Sequence, residues 1–135
     1  MALYPYTILP GSEFSVAKPL IPVSISYPKT HKVIPYTFAL VDSGADVNFC
    51  DMNIGTWLGI NFRKKKSQEY TAANGQNFIA FSETVCLQVF DKKFLCLFNF
   101  SDELTKAYKI ILGQKGFFDH FKITFNLPKK SMEFK

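Results

Sequence analysis

Cysteine, charge and long apolar runs are all scarce in this 135-residue chain, and each shortage closes off a class of protein. The three cysteines, Cys50, Cys86 and Cys96, are an odd set without a close pair, which argues against a disulfide framework and against a zinc knuckle. Cys86 and Cys96 each lie inside an apolar, strand-like stretch, where a thiol behaves as a small hydrophobe. Only His31 and His120 are available as imidazole bases, and Ser43 is not in a Gly-x-Ser-x-Gly elbow. Serine and cysteine nucleophile chemistry therefore lack support. No segment approaches the roughly 18 apolar residues of a membrane span. Met1 to Pro10 lacks the basic start and apolar stretch of a leader. A soluble protein in a reducing compartment, the cytoplasm, is the expectation.

What the chain has in quantity is apolar and aromatic side chains, 47% and 16%, against 20% charged. That balance is far from the signature of disorder and predicts a packed core. The length suits one core and is short for two ordinary domains, so a two-lobed architecture has to be built by association. The formal net charge of +5 has its densest contribution in the run Arg63-Lys64-Lys65-Lys66. No aromatic stacking platform or reader motif sits beside that run, so it reads as a solvated connector and no nucleic-acid partner is expected.

Residues 1–19 carry Pro5, Pro10, Gly11 and Pro19, which punctuate any period and suggest an arm or irregular lead-in to a single domain spanning 20–135. Leu20 to Tyr27 alternates, with Ile21, Val23, Ile25 and Tyr27 on one face of a strand. A turn over Pro28 to Lys32 precedes a strand from Val33 to Val41, whose end is continuously apolar. Met52 to Leu58 suits one or two helical turns. Asn74-Gly75, between Glu69 and Phe81, predicts a hairpin with a type I′ turn. A second hairpin joins Phe78 to Phe90 with Phe94 to Phe100 through Asp91-Lys92-Lys93. Lys109 to Leu112 is a last buried run, Gln114 to His120 suits a short helix, and Lys122 to Lys135 can form a terminal strand.

The chemically informative feature is Asp42, placed at the exit of a buried strand in Phe38-Ala39-Leu40-Val41-Asp42-Ser43-Gly44-Ala45-Asp46. Desolvating a carboxylate without a partner costs several kcal/mol, so a charge between apolar runs is paired or functional. Ser43 offers a hydroxyl and Gly44 permits a backbone turn that a side chain would block. Alone, Asp-Ser-Gly is also a common Asx turn.

In this setting the string resembles the active-site loop of the retropepsin-like aspartic proteases, whose signature is Asp-Thr/Ser-Gly-Ala after a buried strand. Ile110-Ile111-Leu112-Gly113, followed by Gln114 to His120, is similar to the segment and short helix that pack under that loop. The hairpin around Asn74-Gly75 is placed like the family's flap, and the resemblance spans roughly Leu20 to Asn126. It implies an all-β, closed barrel-like monomer with one short C-terminal helix and an active site at a homodimer interface. Asp42 would be catalytic, with Ser43 and Gly44 supporting it, Ser43 across the twofold axis. Ala45, Asp46, Asn74, Gly75 and Gln76 would bind an extended peptide, without metal or organic cofactor. Two departures stand out. Viral members often carry an arginine after the downstream glycine, paired to the aspartate at the Asp46 position, where this chain has Gln114; and the hairpin tip has a single glycine. The competing class is a dimeric peptide-binding module of the same fold with little or no hydrolysis.

Overall fold

The computed structural model describes residues 2–11, 15–104 and 107–135. Three short strands come first: β1 (Ala2–Pro5), β2 (Thr7–Leu9) and β3 (Val16–Lys18). The stretch expected as an arm or lead-in is thus largely strand, residues 1 and 12–14 of it lying outside the described residues. Next is β4 (Leu20–Tyr27), with the bounds its alternation predicts; Ile21, Val23, Ile25 and Tyr27 are all buried. The expected strand from Val33 to Val41 is interrupted. A two-residue β5 (Lys32–Val33) is separated from β6 (Thr37–Val41) by a break at Pro35, which has no N–H to give a ladder.

After β6 come β7 (Asn48–Asp51) and helix α1 (Met52–Trp57). Asp51 caps the helix by accepting from the Asn53 N–H at 3.0 Å. Its end is set by Gly59 at φ +88°: the Gly59 N–H reaches Thr56 O and the Ile60 N–H reaches Gly55 O, the paired bonds of a glycine-terminated helix. Then follow β8 (Ser67–Thr71), β9 (Asn77–Val89), β10 (Lys92–Ser101), β11 (Ile110–Leu112), β12 (Ile123–Asn126) and β13 (Ser131–Phe134).

Six strands close on themselves in the order β4, β6, β11, β7, β10, β9 and back to β4, so the barrel they form has no open edge. Two of its pairings, β6 with β11 and β7 with β10, are parallel, and β7 runs antiparallel to β11. Phe98, Phe100, Ile110 and Leu112 fill the interior with the β4 face. The β8–β9 hairpin extends from one side. On another, β1 and β12 flank β13 in a three-stranded sheet, and Met132 and Phe134 of β13 pack inward.

Three local expectations come out differently. The hairpin at Asn74-Gly75 is not type I′: Gly75 has φ +85° but Asn74 does not turn left-handed. The Gly75 N–H donates to Ala72 O and the Ala72 N–H to Gln76 O, the pattern of an ordinary turn closed by a left-handed glycine. The next hairpin turns at Phe90-Asp91, one residue earlier than its polar residues suggest; Phe90 is held at φ +55° with its ring on Tyr4 and Phe134. The C-terminal helical segment is a single 3₁₀ turn, Phe118–His120, so α1 is the longer helix.

Candidate active site

Asp42 follows β6 directly, and its loop is tied to the segment after β11 at almost every residue. The Asp42 N–H donates to Leu112 O at 2.9 Å, Gln114 N–H to Ala45 O at 2.9 Å and Lys115 N–H to Asp46 O at 2.9 Å. Gly113 passes so close behind the loop that a methyl group there would meet Val47 O, and Ala45 O at 2.8 Å. Hydrophobic burial of β6 and β11 thus fixes where the carboxylate stands. Asp42 Oδ1 accepts from the Gly44 N–H at 2.9 Å, an Asx-type bond that holds the carboxylate against its own loop. Ser43 is exposed beside it.

Asp42, Gly44, Ala45 and Asp46 line a cleft of 530 Å³ whose other wall is the β8 arm of the hairpin, from Glu69 to Ala73, with Phe78 of β9. Asn74, Gly75 and Gln76 sit at the exposed tip, outside this lining. Ala72 and Ala73 stand nearer the loop than the residues the turn signal singles out. Gln114 does not reach Asp46. Its Nε2 donates to Ser43 O at 2.8 Å, which braces the loop without a charge, while Asp46 is exposed.

Two asparagines emerge that the sequence reading did not select. Asn48 and Asn99 are buried, and each interrupts an apolar run, Val47-Asn48-Phe49 and Phe98-Asn99-Phe100. A lone amide in such a run was the available signal, since burial demands that its polar atoms be bonded. Asn48 Oδ1 accepts from the Gly113 N–H at 2.8 Å, and Asn99 Nδ2 donates to Asn48 O at 3.0 Å. Asn99 Oδ1 in turn accepts from Tyr70 Oη at 2.9 Å and from Ser82 Oγ at 2.8 Å. Burial pushes the Tyr70 phenol above its ordinary range, so it remains a donor at any physiological pH.

Glu69 and Glu103 also line this cleft, while the cysteines, His120 and Asp51 lie outside its lining. Burial pushes both the Cys50 and Cys96 thiols up, Cys96 to about 12, and such thiols are inert as nucleophiles. His120 stacks on Phe94 with ring centroids 3.9 Å apart. A second hollow, of 340 Å³, is lined by Trp57, Ile34 and Asp51 among others. Its carboxylate, Asp51, is held by Lys109 at 3.4 Å. Within the basic run, Lys65 pairs with Glu83 at 2.5 Å while Arg63, Lys64 and Lys66 face solvent. No helix among the described residues is long and apolar enough to cross a membrane.

The closed barrel that carries this loop and hairpin is similar to solved structures. The chain superposes on a retropepsin-like aspartic protease from Rickettsia conorii with a TM-score of 0.65, at 16% identity, over 97% of this chain and 95% of that one. The fold is retropepsin-like. A second structure with it, the EIAV protease complexed with the inhibitor HBY-793, superposes with a TM-score of 0.54 at 21% identity, over 72% of this chain and 82% of that one. No family model matches, and no curated protein matches. The retropepsin-like fold is therefore visible in three dimensions where no family model recognises the sequence.

Proposed function

We propose that this chain is an aspartic endopeptidase whose active site is completed by a second copy of itself. The observation that carries the reading is the placement of Asp42: its carboxylate, braced through Gly44, Leu112 and Gln114, stands in the lining of a 530 Å³ cleft between the loop and the hairpin. Peptide hydrolysis of this kind needs one carboxylate to take a proton from water and a second, protonated carboxyl to polarise the scissile carbonyl. Two Asp42 side chains on a twofold axis supply both roles, because like charges at hydrogen-bond distance share one proton. Asp46 stands further along the cleft from Asp42 and belongs to the peptide-binding wall in this reading.

The isologous patch joining the two copies comprises Asp42, Ser43, Gly44 and part of a terminal strand. Strand β12 suits that part, for it has β13 on one side only and leaves Phe125 and the following Leu127 exposed. Ser43, exposed beside the carboxylate, offers its hydroxyl to the partner loop. The β8–β9 hairpin covers substrate with its Ala72-Ala73 side and its Asn74-Gly75-Gln76 tip, and the peptide adopts an extended form that reads backbone as well as side chains.

One proton shared by two carboxyls gives a bell-shaped activity profile on the acidic side of neutrality. The decisive experiment incubates the wild-type protein and Asp42→Asn with an unfolded protein at mildly acidic pH, with oligomeric mass measured in parallel. Cleavage by the wild type and its loss by several orders of magnitude in the variant is the expected result. Equal cleavage by both sinks the enzyme; a dimer that binds peptide and never cleaves it restores the binding-module alternative.

A further inference from the structure

The β8 arm carries Tyr70, and this side chain does two things at once. Its ring packs edge-on against Phe49 of β7, centroids 5.1 Å apart, and stacks on Phe78 across the hairpin at 5.8 Å. Its hydroxyl reaches past them to Asn99 Oδ1 on β10. Asn99 is 1% exposed and Asn48 0%, and the bonds run on from Asn99 Nδ2 to Asn48 O and from the Gly113 N–H to Asn48 Oδ1. Gly113 lies directly between Leu112, which holds the Asp42 N–H, and Gln114, which holds Ser43 O. A continuous polar chain therefore links the hairpin wall of the cleft to the loop at its floor.

We propose that Tyr70 is a latch: its hydroxyl on Asn99 sets the height of the β8–β9 hairpin above Asp42, making it a positioning residue for the bound peptide. This rests on the reading of the cleft as a peptide site. The direction of each bond in the chain is fixed by its neighbours. Asn99 Nδ2 donates to a backbone carbonyl, so Oδ1 faces the hairpin and only a donor can close there, which the phenol is. Asn99 is locked by burial and by its bond to Asn48 O, so the fixed half of the latch belongs to the barrel and the moving half to the hairpin. Gln68 Oε1, 3.3 Å from the same hydroxyl, is a standby acceptor on Tyr70's own strand. With it, the hairpin leaves Asn99 without stranding an unsatisfied phenol, which keeps opening cheap.

Tyr70→Phe keeps the ring packing and removes only the bond. Hydrogen exchange of the bonded hairpin amides, Ala72 and Gly75, should rise roughly two- to tenfold, the range set by one net hydrogen bond, with the amides of β4, β6 and β11 unchanged. Ser82→Ala, which removes the other donor to Asn99 without touching β8, should leave hairpin exchange as in the wild type. On a cleaved peptide, KM should rise by a similar factor in Tyr70→Phe while kcat stays within about twofold. Unchanged hairpin exchange in Tyr70→Phe overturns the latch. So does exchange that rises evenly over the barrel, which is what a merely structural tyrosine would give. A wild-type protein that hydrolyses nothing defeats the protease reading separately, and the exchange measurement still decides the latch.

Discussion

The floor of the cleft and the hairpin above it are built on opposite terms. On the floor, Asp42, Ala45 and Asp46 are tied by backbone, and Ser43 through the Gln114 side chain, to the segment around Gly113, and Gly113 itself is buried with no room for a side chain. The hairpin tip bonds mostly to itself: Asn74 Oδ1 accepts from the Gln76 N–H, Gly75 closes on Ala72, and residues 73–77 are exposed. A reacting carboxylate has to stay within a fraction of an ångström of its productive position, whereas a wall that admits and covers a chain has to move. Under the proposed function, the contrast assigns rigidity to the chemistry and compliance to access.

Placing the same methyl group in both regions probes that contrast, and the floor should suffer the larger effect. Gly113→Ala drives a Cβ into Val47 O and Ala45 O, backbone atoms held by a ladder that cannot yield without moving the Asp42 loop. Overpacking of this kind costs about 3 kcal/mol or more. A urea titration followed by circular dichroism should show that loss, or no cooperative transition at all. A midpoint shifted by less than about 1 kcal/mol would mean that the floor is softer than its bonding indicates.

The boundary between the two regions should respond to acid, with a smaller effect. Glu83 of β9 accepts from the Tyr27 hydroxyl at 2.6 Å and pairs with Lys65, two residues before β8 begins, so it pins the base of the hairpin to the barrel. Burial raises the Glu83 pKa, but the bonds from Lys65 and Tyr27 outweigh it, and the net shift is below the ordinary glutamate range. A carboxyl whose folded-state pKa is depressed contributes stability above its unfolded pKa and loses it as pH falls through the folded one. Denaturation midpoints of the wild type should therefore decline across the acidic range below ordinary glutamate titration. Glu83→Gln should be less stable near neutrality and flatter below. Parallel curves for the two proteins would remove Glu83 as the pin.

Legibility in the sequence divides along the same line. Strand β4 is readable because burial imposes a period of two, whereas the continuous apolar run entering Asp42 overstates burial: Ala39 and Val41 of β6 are buried and Phe38 is exposed. The Asp42 loop and Ile110-Ile111-Leu112-Gly113 are readable because their chemistry is local. The polar chain is not, since Asn48 and Asn99 owe their roles to a parallel pairing of β7 with β10 that brings together residues about fifty positions apart. The pairing of β1 with β13 is equally hidden, for a register between chain ends leaves no local mark. Turn signals misplace the second hairpin because Phe90 adopts a left-handed conformation that its packing on Phe134 holds and its side chain disfavours.

The smallest effect is expected at the tip. Gly75 has φ +85°, yet a Cβ built there meets nothing within 4 Å. Gly75→Ala therefore carries only the conformational cost of a left-handed alanine, about 1 kcal/mol. That cost falls on a segment free to readjust, so the global midpoint should hardly move while exchange of the Gly75-position and Ala72 amides quickens. The outcome is informative because the two glycines differ in kind: Gly113 is required by space and Gly75 by backbone angle. If Gly75→Ala lowered the global midpoint as much as Gly113→Ala, the tip would be cooperatively joined to the barrel, and the division of labour between rigid floor and compliant cover would fail.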